Sequence, residues 1–263
     1  MKTILDFQAA KNKNKKITML TCYDYSFAKI LNMTAIDTLL VGDSVAQVIH
    51  GHSTTLQATV EMMILHTAAV SKGASNKFII SDMPFLSTRK GIKHAVQVAG
   101  LLMQAGAQAV KIEGAKGHQN LIQHLVESGI PVMGHLGLTP QSIHQLGGPK
   151  IQGRNDKAAN EILNDALILE KSGCFGLVLE CIPAKLAKKI TDALIIPTIG
   201  IGAGADTSGQ VLVLQDMLGL NPEFNPKFLK KYSNSFEFVV SAIDHFVTDV
   251  EKNIFPTDKN SYE

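Results

Sequence analysis

A chain of 263 residues, 45% of them hydrophobic, has the length of one (β/α)₈ barrel, which takes about 250 residues. Its formal net charge of +2 is too balanced for a nucleic-acid or membrane partner, and no apolar run approaches the roughly eighteen residues of a membrane helix. Met1 to Lys16 lacks the apolar core of a signal peptide, and Cys22, Cys174 and Cys181 form no CxxC and read as reduced thiols, so the expectation is a soluble, cytoplasmic protein.

In chain order, residues 1–15 predict a short helix closing the bottom of a barrel. The lysines of Lys11-Asn-Lys-Asn-Lys-Lys16 read as a solvated loop before the first strand. Eight short runs rich in Val and Ile follow: Ile17–Tyr23, Ile36–Gly42, Lys77–Ser81, Ala109–Ile112, Pro131–Gly134, Phe175–Leu179, Ile196–Ile201 and Gln210–Gln215. Their hydrophobicity is continuous rather than alternating, which suits parallel strands buried on both faces. Helical spacing fills the intervals at Val60–Lys72, Ile92–Ala105, His118–Ser128, Asp156–Ser172 and Pro183–Ala193, with Gly and Pro where those helices must stop. Phe228 to Asn253 predicts one or two amphipathic helices that complete the last unit. Strand then helix, eight times over with no linker, predicts an α/β TIM barrel spanning 1–263 as one domain.

The residues that end these runs carry the chemistry. They are Asp24, Asp43, Asp82, Glu113, His135, Glu180 and Asp216; the seventh run passes instead into Gly200-Ile-Gly-Ala-Gly204. In a TIM barrel the carboxyl ends of the strands converge on one face, where catalysis takes place. Carboxylates gathered there repel one another and call for a cation, and hard oxygen ligands favour Mg²⁺ over Zn²⁺. Asp24 and Asp216 serve equally well as helix N-caps. Lys111 lies two residues before Glu113, so both point to the same face of the fourth strand, either to hold an anionic ligand or to form an internal ion pair. After His135 the connector to Gly153 is long, the mark of a functional loop over the mouth. His50 and His52 read as loop histidines or ligands alike. The glycines at 200–204 resemble a phosphate loop but lack GxGxxG order, which favours close backbone packing.

Taken in order, Leu40-Val-Gly-Asp-Ser44, Gly51-His-Ser-Thr-Thr-Leu56, His66-Thr-Ala-Ala-Val70, Ser81-Asp-Met-Pro-Phe85, Val110-Lys-Ile-Glu-Gly114, Gly134-His-Leu-Gly-Leu-Thr-Pro-Gln141, Leu179-Glu-Cys-Ile-Pro183 and Ile199-Gly-Ile-Gly-Ala-Gly204 resemble the ketopantoate hydroxymethyltransferase family. The resemblance covers most of the chain, from about Thr21 to Lys230. It implies transfer of a hydroxymethyl group from 5,10-methylenetetrahydrofolate to 3-methyl-2-oxobutanoate through a Mg²⁺-stabilised enolate, giving 2-dehydropantoate for pantothenate and coenzyme A synthesis. Matched residue by residue, it puts Asp43, Asp82 and Glu113 at the positions that hold one Mg²⁺ per subunit. Asp43, Ser44, Asp82 and Lys111 fall where the family contacts the oxo acid, Glu180 where it has its proton acceptor, and a homodecamer is implied. Two positions depart from the pattern: the segment His52-Ser-Thr-Thr-Leu56 lacks an acid after its histidine, and Ser208 stands where Asp commonly precedes Gly-Gln. A Mg²⁺-dependent barrel of the phosphoenolpyruvate mutase or isocitrate lyase type would share the acid-rich mouth, but its Lys-Lys-Cys-Gly-His-like loop has no counterpart here.

Overall fold

All eight apolar runs become strands, and every neighbouring pair is parallel, closing in the order β1 to β8 and back to β1. The computed structural model describes residues 2–262; Met1 and Glu263, the ends of the predicted 1–263 domain, lie outside the described residues. The elements are α1 (Ile4–Asn12), β1 (Ile17–Thr21), α2 (Tyr25–Asn32), β2 (Thr38–Val41), α3 (Val45–Val48), α4 (Val60–Gly73), β3 (Phe78–Asp82), α5 (Ile92–Gln104), β4 (Ala109–Glu113), α6 (Gln119–Glu127), β5 (Val132–Gly137), α7 (Asp156–Lys171), β6 (Gly176–Glu180), α8 (Ala184–Ala193), β7 (Thr198–Ile201), β8 (Gly209–Leu212), α9 (Leu214–Met217) and α10 (Ser235–Glu251). They divide into two compact units, residues 1–212 and 213–263.

In the first unit β2 and β3 are buried along their whole length, as continuous hydrophobicity requires of strands with a helix layer outside and side chains inside. Met19, Leu40, Ile80, Met133, Val178, Ile199 and Val211 form one interior cluster, and it includes Phe7 and Ala10 of α1. Phe7 is fully buried and meets Phe78 and Phe175 edge-on at ring-centre separations of 5.3 and 5.2 Å. Its burial is worth roughly 3 kcal/mol. The lysine run is a solvated loop only in part: Asn12 to Lys16 are exposed and Lys11 lies in the last turn of α1, but two of the ammonium groups are engaged. Lys11 Nζ donates to the carbonyls of Thr191, Leu194 and Ile196 at 2.9, 2.6 and 2.8 Å, and Lys16 Nζ donates to those of Ala205 and Thr207. The ammonium groups satisfy carbonyls that the end of α8 and the β7–β8 connection leave open.

The eighth strand is shorter than the run Gln210–Gln215 predicts. It stops at Leu212, and Leu214–Met217 turns into α9, which places Asp216 inside a helix instead of at a strand end. In the second unit Gly219 (φ +70°) turns the chain after α9. Ser233 Oγ donates to the Leu218 carbonyl at 2.7 Å and Ser235 N to the same oxygen at 3.0 Å, fixing the start of α10. No residue of α10 is buried. Among the described residues no helix is long and apolar enough to cross a membrane.

Candidate active site

Strand register decides which strand-end side chains meet. Asp82 pairs with Lys111 across β3–β4, and Glu113 with His135 across β4–β5. Lys111 Nζ therefore lies 3.1 Å from Asp82 Oδ1 and 3.1 Å from His135 Nδ1, with all three side chains buried. Glu113 Oε1 stands 3.3 Å from His135 Nδ1, and Glu180 Oε2, at the end of β6, 3.2 Å from His135 Nε2. Lys111 and Glu113 thus face the same interior side, as their spacing requires. The internal ion pair that Lys111 makes is with Asp82. Asp43 follows β2; its backbone N–H donates to Asp82 Oδ2 at 3.0 Å, and the residue is 4% exposed. Ser44 immediately precedes α3, its Oγ 2.7 Å from the hydroxyl of the buried Tyr23.

Burial sets the electrostatics. It pushes the Asp43 carboxyl well above its ordinary range, and the nearby Asp82 and Glu113 charges add to the rise. Asp82 is raised too, again by burial, with Lys111 opposing. Burial would raise Glu113 as well, but its bond to His135 and the His135 and Lys111 charges hold it below the usual value. For Lys111, burial is outweighed by the three surrounding carboxylates, and its ammonium is held more tightly than in water. His135 follows the same logic: burial and Lys111 oppose its proton, yet the contacts with Glu113 and Glu180 raise it to about 9. Lys111 is thus a cation set among Asp43, Asp82 and Glu113, and His135 lies between Glu113 and Glu180.

Asp82 Oδ1 and Glu113 Oε1 are buried without a well-directed hydrogen bond. Each faces a single cationic side chain, Lys111 for Asp82 and His135 for Glu113, while Asp43 has none and its carboxyl is pushed upward by its acidic neighbours. As hard donors the three acids fit Mg²⁺ or Mn²⁺. Among the described residues no three His, Cys, Asp or Glu side chains are gathered to hold a metal ion. In this arrangement Gln141 Nε2 occupies Asp43 Oδ2, and Asp82 Oδ1 faces Lys111.

Three of the other sequence candidates have separate tasks. Asp24 is an N-cap, accepting from Phe27 N at 2.9 Å. The glycines at 200–204 pack closely: a Cβ on Gly200 would lie 2.7 Å from Thr207 Oγ1, and Gly204 has φ +81°. His50 pairs with His66, Nε2 to Nε2 at 2.9 Å, while His66 Nδ1 contacts the Tyr23 carbonyl at 2.5 Å. A carbonyl only accepts, so His66 donates from Nδ1 there and turns its Nε2 to His50. His52 stacks on His50 at 6.4 Å. The sequence did not single out Gln141 or Tyr23. Gln141 lies in the long connector after His135, whose length pointed to function, but an uncharged side chain gave no signal of its own.

Architecture and chemistry together define a class: a TIM barrel with its ionisable cluster at the carboxyl ends of its strands, where enzymes of this fold do their chemistry. Residues 1–258 match the family model described as Ketopantoate hydroxymethyltransferase. The chain belongs to the ketopantoate hydroxymethyltransferase family. It is 57% identical over 262 residues to 3-methyl-2-oxobutanoate hydroxymethyltransferase of Bdellovibrio bacteriovorus, covering 100% of both chains. To the protein of that name from Legionella pneumophila it is 55% identical over 260 residues, 98% of this chain and 99% of the relative. Among solved structures it resembles a phosphonopyruvate hydrolase complexed with oxalate and Mg²⁺ (TM-score 0.64, 10% identity, 100% of this chain and 92% of that one). It also resembles 2,3-dimethylmalate lyase of the PEP mutase/isocitrate lyase superfamily (TM-score 0.60, 14% identity, 96% and 99%). At such identities the likeness concerns the fold alone.

Proposed function

We propose that this chain transfers a hydroxymethyl group from 5,10-methylenetetrahydrofolate to 3-methyl-2-oxobutanoate, giving 2-dehydropantoate on the route to pantothenate and coenzyme A. The observation that carries this reading is the buried row Asp82–Lys111–His135–Glu180, joined at 3.1, 3.1 and 3.2 Å. It sets a cation where an oxo acid's negative charge needs one and, at the far end, a carboxylate whose side chain is 18% exposed and open to a substrate. Asp43, Asp82 and Glu113 would hold one Mg²⁺, which when bound supplies Lewis-acid stabilisation to charge developing on the oxo acid.

The chain's own groups do the rest. Lys111 and Ser44 bind the oxo acid together with Asp43 and Asp82. Glu180 takes the C3 proton as general base, and His135, holding one of its oxygens, orients the other toward the substrate. The C3–H bonding electrons pass toward the C2 oxygen. They then return to form the bond from C3 to the methylene carbon. Both bonds from that carbon to folate nitrogens break, and a water molecule supplies the new hydroxyl. The two nitrogens take one proton from that water and the one removed from C3, giving tetrahydrofolate. No side-chain nucleophile is required, and Cys22, Cys174 and Cys181 are free thiols outside the cluster. The working unit is the whole of 1–263, with α1 closing the barrel bottom, a reading supported by the buried Phe7 and by the family match over 1–258. The protein acts in the cytoplasm as a homo-oligomer, a decamer by family likeness. Support for assembly comes from α10, where Phe236, Phe238, Ile243 and Phe246 stand exposed, apolar surface of the kind that marks interfaces. The test is steady-state formation of 2-dehydropantoate from the two substrates with Mg²⁺, followed by proton NMR; no product at saturating substrate would overturn the reading.

A further inference from the structure

The β5–α7 connector touches the acid cluster through one residue. Gln141 Nε2 donates to Asp43 Oδ2 at 2.8 Å and to the Met83 carbonyl at 3.0 Å, and Gln141 N donates to Glu113 Oε2 at 3.0 Å. An amide NH₂ has two protons and a peptide nitrogen one, so every N–H of this residue is spent, two of the three on carboxylates from different strands. The residue is neutral, so it can bind both without adding charge that would compete with a cation. It also leaves one oxygen of each carboxylate outside its grip, and on Glu113 that oxygen, Oε1, faces only His135 Nδ1 at 3.3 Å, without a well-directed hydrogen bond.

We infer that Gln141 is a positioning residue. It fixes the rotamers of Asp43 and Glu113 so that their remaining oxygens are presented for a divalent ion, and in the same act it docks the connector over the mouth. The inference rests on the metal reading given above. Side chains that hold a metal ligand by its second oxygen commonly change affinity by about 10–100-fold when removed. Loss of two of the connector's three ties also frees the segment carrying Lys150 and Arg154, both exposed.

The experiment uses the full chain and its Gln141→Met variant, which keeps side-chain length and loses both amide donors while the peptide N–H remains. After chelator treatment each is titrated with Mn²⁺ alone, free Mn²⁺ being read by electron paramagnetic resonance. Separately, trypsin cleavage after Lys150 and Arg154 is timed without metal. The expected result is Mn²⁺ binding weakened about tenfold or more, with cleavage accelerated severalfold. Binding equal to or tighter than the parent's, with or without faster cleavage, overturns the inference and leaves Gln141 a loop tether or a placeholder. If the Met variant does not fold, Gln141→Asn, one carbon too short to reach both partners, is measured instead; parent-like Mn²⁺ binding there overturns the inference equally. A parent that binds no Mn²⁺ overturns the metal reading itself, and a parent that binds beside an unchanged variant overturns only the role of Gln141.

Discussion

Lys111→Met removes the cation at the centre of the acid cluster while keeping most of the side-chain volume. At 3.1 Å from Asp82 Oδ1 the attraction is about 5 kcal/mol at an effective dielectric of about 20, and removing one partner of a buried pair typically costs about 3–5 kcal/mol. The cost has an escape route, because Asp82 can take a proton. Its carboxyl is already raised above 3.8 with Lys111 opposing, and without Lys111 it rises further. A carboxyl raised in the folded state binds its proton more tightly there than in the unfolded chain. Stability therefore falls as pH climbs from the unfolded value of about 4 through the folded one, and levels off above it. Urea unfolding of chelator-treated parent and variant should show a loss of about 3 kcal/mol at pH 8 and a clearly smaller loss at pH 5. With Mg²⁺ restored, the variant should show a higher KM for the oxo acid and little change in KM for the folate. A loss of equal size at both pH values would refute the protonation argument, and parent-like stability with parent-like KM would refute any role for the Lys111 charge.

Chelator should abolish turnover and Mg²⁺ or Mn²⁺ should restore it, and Asp82→Asn should weaken metal and oxo-acid binding together with an unchanged circular dichroism spectrum. In D₂O, enzyme with Mg²⁺ and 3-methyl-2-oxobutanoate should exchange the C3 hydrogen, seen by NMR as collapse of the methyl doublet. Glu180→Gln should slow that exchange by about 10²-fold or more while both ligands still bind; undiminished exchange would move the base elsewhere. Asp24→Ala should cost about 1 kcal/mol of stability through the lost cap on α2 and leave kcat unchanged; a large fall in kcat would return Asp24 to the site.

The barrel was legible because each strand is a short continuous apolar run and each helix is punctuated by Gly or Pro. The eighth strand was overextended for the same reason: Val-Leu-Val-Leu at 211–214 has no break, although the chain turns helical at Leu214. The paired carboxylates were legible because strand ends of a barrel converge whatever lies between them. Their pairing was not, since it depends on register: Lys111 meets Asp82, its ladder partner, and not Glu113, its near neighbour in sequence. Gln141 and the His50–His66 contact were hidden because neither charge nor periodicity signals a hydrogen bond between separate loops and helices. The lysine run misled for a related reason: carbonyl partners some 180 residues away leave no trace in local composition.

Those lysine contacts bear on the order in which the first unit is made. β1 pairs with β8, Ile17 opposite Gly209, and α1 inserts Phe7 between Phe78 and Phe175. α1 and β1 thus leave the ribosome well before β8, and synthesis at roughly 5–20 residues per second separates them by tens of seconds at the slow end. Throughout that interval β1 has β2 on one edge but no strand on the other, and Phe7 lacks Phe175, since contacts of such long sequence separation form late. Refolding from denaturant starts with all partners present and should escape that delay, so the nascent chain is the state in which this barrel most needs a chaperone.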